Sequence, residues 1–166
     1  MPEEGLSASK AGLGHSPRVE AHILRVASDE GESMQLPDHI PKTHLAIVMA
    51  EVARDLGPDV HRRTHMALFR AYYADGRDIG CKDVLLGIAE SVEGLNSEQI
   101  VAAWLEDTME ERLHAFRHLA GHMGIDATPA ALVCNELLIG TRPYEVLERA
   151  IAECLVTHET AEAAEA

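Results

Sequence analysis

Apolar residues recur every three or four positions over residues 17–31 and 43–123, and this spacing is typical of helices that bury one face. The first helix is predicted to begin at Ser16 and Pro17 and to end near Gly31, because serine caps helices and proline fits the first helical position. Further helices are predicted over residues 43–56, 59–74 and 82–91, from about 96 onward, and over 108–123. The pattern therefore predicts a mostly helical protein.

Two stretches before residue 43 lack this pattern. Residues 1–15 are rich in Gly, Ser and Ala and have no periodicity, so we predict a mobile N-terminus there. Residues 32–42 contain Pro37 and Pro41, which disfavour a helix, so an extended connector is predicted.

The period changes after residue 124. Two short strands, Ala130–Cys134 and Leu137–Ile139, are predicted to form a tight hairpin around residues 135–136. A last helix is predicted over Pro143–Leu155. We therefore divide the chain into a mobile N-terminus (1–15), a helical domain (16–124), a C-terminal part with the hairpin and last helix (125–155), and a disordered tail (156–166).

The length and net charge of the chain indicate its domain count and exclude some classes of partner. The 166 residues suit one domain, and 14 basic against 28 acidic residues give a net charge of −14. Such a chain repels phosphate backbones and anionic lipid, so neither a nucleic-acid nor a membrane partner is expected. The N-terminal residues are acidic and include no apolar core segment, so no signal peptide is predicted and we expect a cytoplasmic protein.

The three cysteines do not form a recognisable motif. Cys81, Cys134 and Cys154 lie far apart in the sequence, which argues against a disulfide framework and against zinc. Reduced thiols are therefore expected. Cys134 and Cys154 are interpreted as small buried hydrophobic residues, with a nucleophilic Cys134 as the alternative, and Cys81 as the most exposed thiol.

Histidines and aromatic residues are further candidates for a functional site. His114, His118 and His122 repeat every four residues, as do His61 and His65, and such pairs can hold a metal ion. Both rows are interpreted as solvated helix faces, so neither a metal nor a cofactor is expected. The remaining candidates are interpreted as core residues with polar tips or as local ion pairs: Tyr72, Tyr73, Trp104, Arg70, Arg77 and Asp78.

Three passages carry a resemblance to a known family. They are MALFRAYYADGRDI at 66–79, GIDATP at 124–129 and LIGTRPYEVL at 138–147. In this order they resemble the DsbA-like thioredoxin family, closest to its FrnE-type branch, over about residues 16–155. The resemblance implies an α/β thioredoxin-like fold of DsbA type, here mostly helical with a short antiparallel hairpin, and a thiol–disulfide oxidoreductase lineage.

The sequence departs from that family at its amino-terminal end. Family members begin with a strand, an active-site motif at a helix start and a second strand, and in the redox branch the motif is CxxC. This chain contains no CxxC, and residues 1–6 resemble a stretch that follows the missing unit. An N-terminally truncated family member without catalytic residues is therefore expected, and it should be inactive as given because disulfide exchange needs a paired thiol.

The part of the family's active site that the resemblance assigns to this chain is one substrate-binding surface. It implies a cis Thr128–Pro129 peptide and a thiol or peptide substrate beside these two residues. Because the neighbouring strand of the family is missing, the hairpin edge would be exposed, and self-association through it is expected. Two alternative functions stay open: a glutathione-dependent protein similar to 2-hydroxychromene-2-carboxylate isomerases, and a non-catalytic binding or assembly module.

Overall fold

The structure, a computed structural model, describes residues 6–7 and 16–165, with side chains up to Thr157. It is mostly helical and contains two small antiparallel sheets of two strands each. The helices are α1 (Pro17–Asp29), α2 (His44–Asp55), α3 (Pro58–Phe69), a π-helix (Arg70–Ala74), α4 (Lys82–Ser91), α5 (Ser97–Glu106), α6 (Glu110–His122) and α7 (Tyr144–Glu165). The strands are β1 (Leu6–Ser7), β2 (His39–Ile40), β3 (Ala130–Val133) and β4 (Glu136–Ile139).

The chain divides into two compact units, the first through Glu110 and the second from Glu111. The sequence placed this boundary after residue 124, because helical periodicity alone groups α6 with the helices before it. Among the described residues, no helix is both long enough and apolar enough to cross a membrane.

The core of the first unit is built around α2. This helix packs against α3 and α5, while α4 packs against α3 and α5. Met49 of α2, Leu85 of α4 and Ile100 of α5 are fully buried. Asn96 caps α5, since its side-chain oxygen accepts hydrogen bonds from the backbone N–H groups of Glu98 and Gln99.

The segment before α2 holds a small sheet that the sequence did not predict. Leu6 pairs with Ile40 and Ser7 with His39, and the Ser7 hydroxyl donates to Asp38. The prediction of a mobile N-terminus is therefore wrong for Leu6 and Ser7, and the rest of residues 1–15 lies outside the described residues. Two-residue strands show no alternation of apolar and polar positions, so their pattern could not reveal them.

The predicted helix over residues 59–74 changes type before it ends. From Arg70 to Ala74 the chain winds as a π-helix, which is a rare form frequently found at functional sites. The Tyr72 hydroxyl donates a 2.6 Å hydrogen bond to the carbonyl of His39. The π-helix is thereby tied to the connector that leads into α2.

The second unit contains α6, the β3–β4 hairpin and α7, and β3 contacts α7. Leu113, Leu138 and Ala150 are the buried apolar residues of its described part. The helix predicted to end at Leu155 continues to Glu165, so the prediction of a disordered tail does not describe the backbone there. Residues 157–165 are rich in Ala and Glu, which are strong helix formers, and this propensity continues α7 although the segment has no apolar periodicity.

Candidate functional site

The segment that leads to Thr128 and Pro129 is positioned by the end of α6. Gly124 adopts a positive φ of 72° and donates its N–H to the carbonyl of Gly121, and Ile125 donates to the carbonyl of Ala120. These two bonds form a Schellman motif, which turns the chain out of the helix. The turn directs residues 126–129 toward the start of β3.

Thr128 and Pro129 both lie at the surface, at the open end of the hairpin. The Thr128–Pro129 peptide bond is cis. The Pro129 carbonyl accepts a 2.7 Å hydrogen bond from the Gly140 N–H, which joins the two strands at this end. Within the described residues, no hydrogen bond involves the backbone of Thr128.

The register of the hairpin determines which backbone groups remain available. Val133 pairs with Glu136 across the two-residue turn, and Ala131 pairs with Leu138. In an antiparallel ladder closed by such a turn, these residues direct their N–H and C=O groups toward the partner strand. The alternate residues Ala130 and Leu132 therefore direct theirs toward the free edge of β3.

The two cysteines of this unit are joined, contrary to the prediction. Cys134 and Cys154 form a disulfide that links the hairpin turn to α7. Cys134 is an exposed turn residue with φ 51°, so the interpretation of it as a buried strand residue is wrong. This pair could not be recognised from sequence, because its spacing of 20 residues matches no motif and the pairing depends on how the hairpin and α7 pack.

The third cysteine lies in the first unit. Cys81 is exposed, as predicted, and carries no disulfide. It occupies the N-cap position of α4, where its side chain makes no capping hydrogen bond. It has no second thiol within the same unit with which to complete a redox pair.

The histidine rows face solvent. His114, His118 and His122 are exposed on α6, and the rings of His118 and His122 stack with their centroids 4.3 Å apart. On α3, burial and the nearby Arg54 and His65 lower the pKa of His61 below its usual 6.5. Within the described part of the chain, no group of three or more His, Cys, Asp and Glu side chains is arranged to hold a metal ion.

The aromatic candidates are half-buried and use their polar atoms. The Trp104 indole N–H donates to the carbonyl of Leu45, and the Tyr72 hydroxyl donates to His39. Burial raises the pKa of Tyr72, and the neighbouring Tyr73 and Asp78 raise it further. These contacts agree with core residues that have polar tips, which was the interpretation from sequence.

One polar cluster of the first unit was not predicted. His39 Nε2 lies 3.1 Å from Asp78 Oδ2, and the side-chain amide of Gln35 donates to the carbonyl of Ala74. Asp78 was considered only for pairs with its arginine neighbours. The actual partners lie more than 30 residues away in sequence, so helical spacing gives no signal for them. The cluster fastens the connector to the π-helix.

Comparison with known proteins identifies the family of the chain. No curated protein and no solved structure matches the chain. The sequence model of the DSBA-like thioredoxin domain matches residues 7–152, which is most of the chain. The helices α1 to α6, the Thr128–Pro129 segment, the hairpin and the first part of α7 lie within that range. The chain belongs to the DSBA-like thioredoxin domain family.

Proposed function

We propose that this chain is a FrnE-type member of the family that binds an extended thiol-containing peptide beside Thr128 and Pro129, without catalysing disulfide exchange itself. The observation that carries the proposal is the free edge of β3, where Ala130 and Leu132 present backbone groups directly after Pro129. A peptide that adds as a strand to such an edge gains main-chain hydrogen bonds from alternate residues. Leu132 is 51% exposed and provides an apolar contact beside them.

Inactivity follows from the thiols within this sequence. Exchange needs an attacking thiolate and a second thiol that resolves the mixed disulfide. No two cysteines of the sequence are separated by two residues. A CxxC motif from outside this sequence would have to supply that chemistry.

Peptide titration followed by amide hydrogen exchange tests the binding proposal. A Cys-containing extended peptide should slow exchange at Ala130 and Leu132, whose N–H groups face the free edge. The amides of Ala131 and Val133 serve as internal controls, because β4 already protects them. The same peptide with alternate amides N-methylated should not bind. Protection that is equal for both peptides, or absent from Ala130 and Leu132, would refute the proposal.

The same edge would also accept β3 of a second copy, which is the self-association expected from sequence. In that case, protection of Ala130 and Leu132 should rise with protein concentration in the absence of peptide. A Leu132→Lys variant should abolish this effect, because a charged side chain on an edge strand opposes pairing.

The proposed location is the cytoplasm, and the disulfide makes this testable. Cytosolic thiols are kept reduced by glutathione and thioredoxin, so Cys134 and Cys154 should be largely reduced in cells. Alkylation of rapidly acid-quenched cells, followed by mass spectrometry, measures that fraction. A fully oxidised pair would point to an oxidising compartment instead.

A further inference from the structure

α1 is an amphipathic helix whose apolar face is uncovered. Val19, Ile23 and Val26 follow one another at the spacing of one helix face, and Val19 and Val26 are more than 40% exposed. None of the residues of α1 is buried. A helix of 13 residues is marginal in water without a packed face, so α1 needs a partner surface.

A basic row runs beside this apolar face. Arg18, His22 and Arg25 occupy the positions one residue before Val19, Ile23 and Val26, so the two rows are adjacent on the helix, and Asp29 ends the basic row. The other side of the apolar face carries one acidic residue, Glu20. The partner surface of α1 should therefore be apolar with an acidic rim.

A groove of this chemistry lies between α4 and α5. Its apolar residues are Leu86, Val101, Ala102 and Leu105, and Leu105 is 75% exposed. Its charged rim consists of Glu90, Glu98 and Glu106, with no basic residue in the lining. Among the described residues, none of these three glutamates has an ion-pair partner.

The carboxyl end of α5 makes the groove a site for a cation. Glu106 and Asp107 lie where the last carbonyl groups of α5 already concentrate negative charge, and the last turn contains no basic residue. This arrangement destabilises an isolated helix. An arginine placed at this end would offset both the helix dipole and the two carboxylates.

We propose that α1 of one copy docks in the α4–α5 groove of a second copy, and that the contact is made reciprocally. In the single chain, the described residues that line the groove belong to α4 and α5, and none belongs to α1. The Gln35 side chain donates to the carbonyl of Ala74 and so holds Gln35 against the π-helix. The linker between Gln35 and the end of α1 consists of residues 30–34 only. Two reciprocal contacts form a closed dimer, in which Val19, Ile23 and Val26 cover Leu86, Val101 and Leu105.

Charge reversal tests the pairing. An Arg18→Glu/Arg25→Glu chain and a Glu98→Lys/Glu106→Lys chain should each dimerise at least about tenfold more weakly than the original, because like charges then face each other. A mixture of the two chains should form a heterodimer, because both reciprocal contacts are then between opposite charges. Sedimentation equilibrium at about 0.15 M salt, where repulsion between the two acidic copies is screened, measures both effects.

A matched pair of substitutions at exposed leucines distinguishes the groove from other exposed apolar surfaces. Leu105→Ser should weaken the dimer, whereas Leu155→Ser, which removes an exposed leucine of α7, should leave it unchanged. Leu132→Lys, which blocks pairing of β3 edges, should also leave this dimer unchanged. A strictly monomeric protein, or a dimer indifferent to the charge reversals and to their mixing, would overturn the proposal. Protection of α1 in a monomer that the same reversals abolish would also overturn it, because α1 would then occupy its own groove.

Discussion

The sulfur atoms of Cys134 and Cys154 are bonded, and this bond connects the turn of the hairpin to the middle of α7. Among the described residues, β3 pairs with β4 and with no second strand, so one of its two edges has no neighbour. Among the described side chains, Leu138 is the buried apolar residue of β4, and Ala150 is the buried apolar residue of α7. So small a core gives the disulfide a large share in holding the hairpin on the helix.

Removal of this disulfide should destabilise the second unit. A bond that closes a loop of 20 residues restricts the unfolded chain by roughly 3 kcal/mol in the chain-entropy account. We expect Cys134→Ser/Cys154→Ser to lower the unfolding free energy of this unit by up to about that amount. Hydrogen exchange of the Ala131 and Val133 amides measures it.

A reducing agent should act on the original protein as the double substitution does. Cys81→Ser is the matched control, because it removes an exposed thiol that is not in a disulfide. It should leave the second unit unchanged. If exchange at Ala131 and Val133 is the same with and without the bond, packing of β3 on α7 suffices alone.

Features that depend on neighbouring residues were largely predictable from sequence, whereas contacts between residues far apart in the sequence were not. The cap of α5 at Asn96 and the start of α1 at Ser16 depend on neighbours within a few positions, and so does the hairpin, although its turn is residues 134–135 and not the predicted 135–136. The hydrogen bond from Tyr72 to His39 and the Cys134–Cys154 bond depend on which elements meet in space. For the candidate site, the position of Thr128 and Pro129 was predictable from resemblance, but the free backbone groups beside them required the strand register.

The hairpin should show an alternating pattern of amide exchange. Ala130 and Leu132 direct their N–H groups to the free edge and should exchange fast in a dilute, ligand-free sample. Ala131 and Val133 are bonded to β4 and should exchange more slowly. Residue-resolved exchange by NMR measures the pattern. Uniformly slow exchange along β3 would mean that another segment covers this edge.

The hydroxyl of Tyr72 should stabilise the first unit in a pH-dependent way. Tyr72→Phe removes its hydrogen bond to the His39 carbonyl, and about 1 kcal/mol of stability should be lost near pH 7. Because burial, Tyr73 and Asp78 raise the folded-state pKa of Tyr72 above 10, its contribution is complete below pH 10. This contribution is lost as the pH rises through the folded-state value.

Denaturant melts at pH 7 and above pH 10 measure this effect. The original protein should lose stability faster than Tyr72→Phe as the pH rises above 10. Tyr144→Phe is the control, since Tyr144 is 74% exposed in the second unit. Equal pH dependence of the original protein and Tyr72→Phe would mean that the hydroxyl is not held in this environment.

Chelation should not affect the stability of the second unit. His118 and His122 stack on an exposed face of α6, and two imidazoles alone bind a divalent ion weakly. We expect the melting temperature to be the same with and without EDTA, and to be unchanged by His118→Ala. A large decrease in EDTA that His118→Ala reproduces would reveal a structural metal site on α6.

The chain should not catalyse the reduction of insulin by dithiothreitol. Dithiothreitol can open the Cys134–Cys154 bond, but the two thiols then lie on a hairpin turn and within α7, and neither is at a helix N-terminus, where thiolates are stabilised. The turbidity rate should therefore equal that of dithiothreitol alone, and Cys81→Ser should not change it. A rate clearly above background that disappears in Cys134→Ser would contradict this expectation, because the hairpin cysteine would then be a nucleophile in its own right.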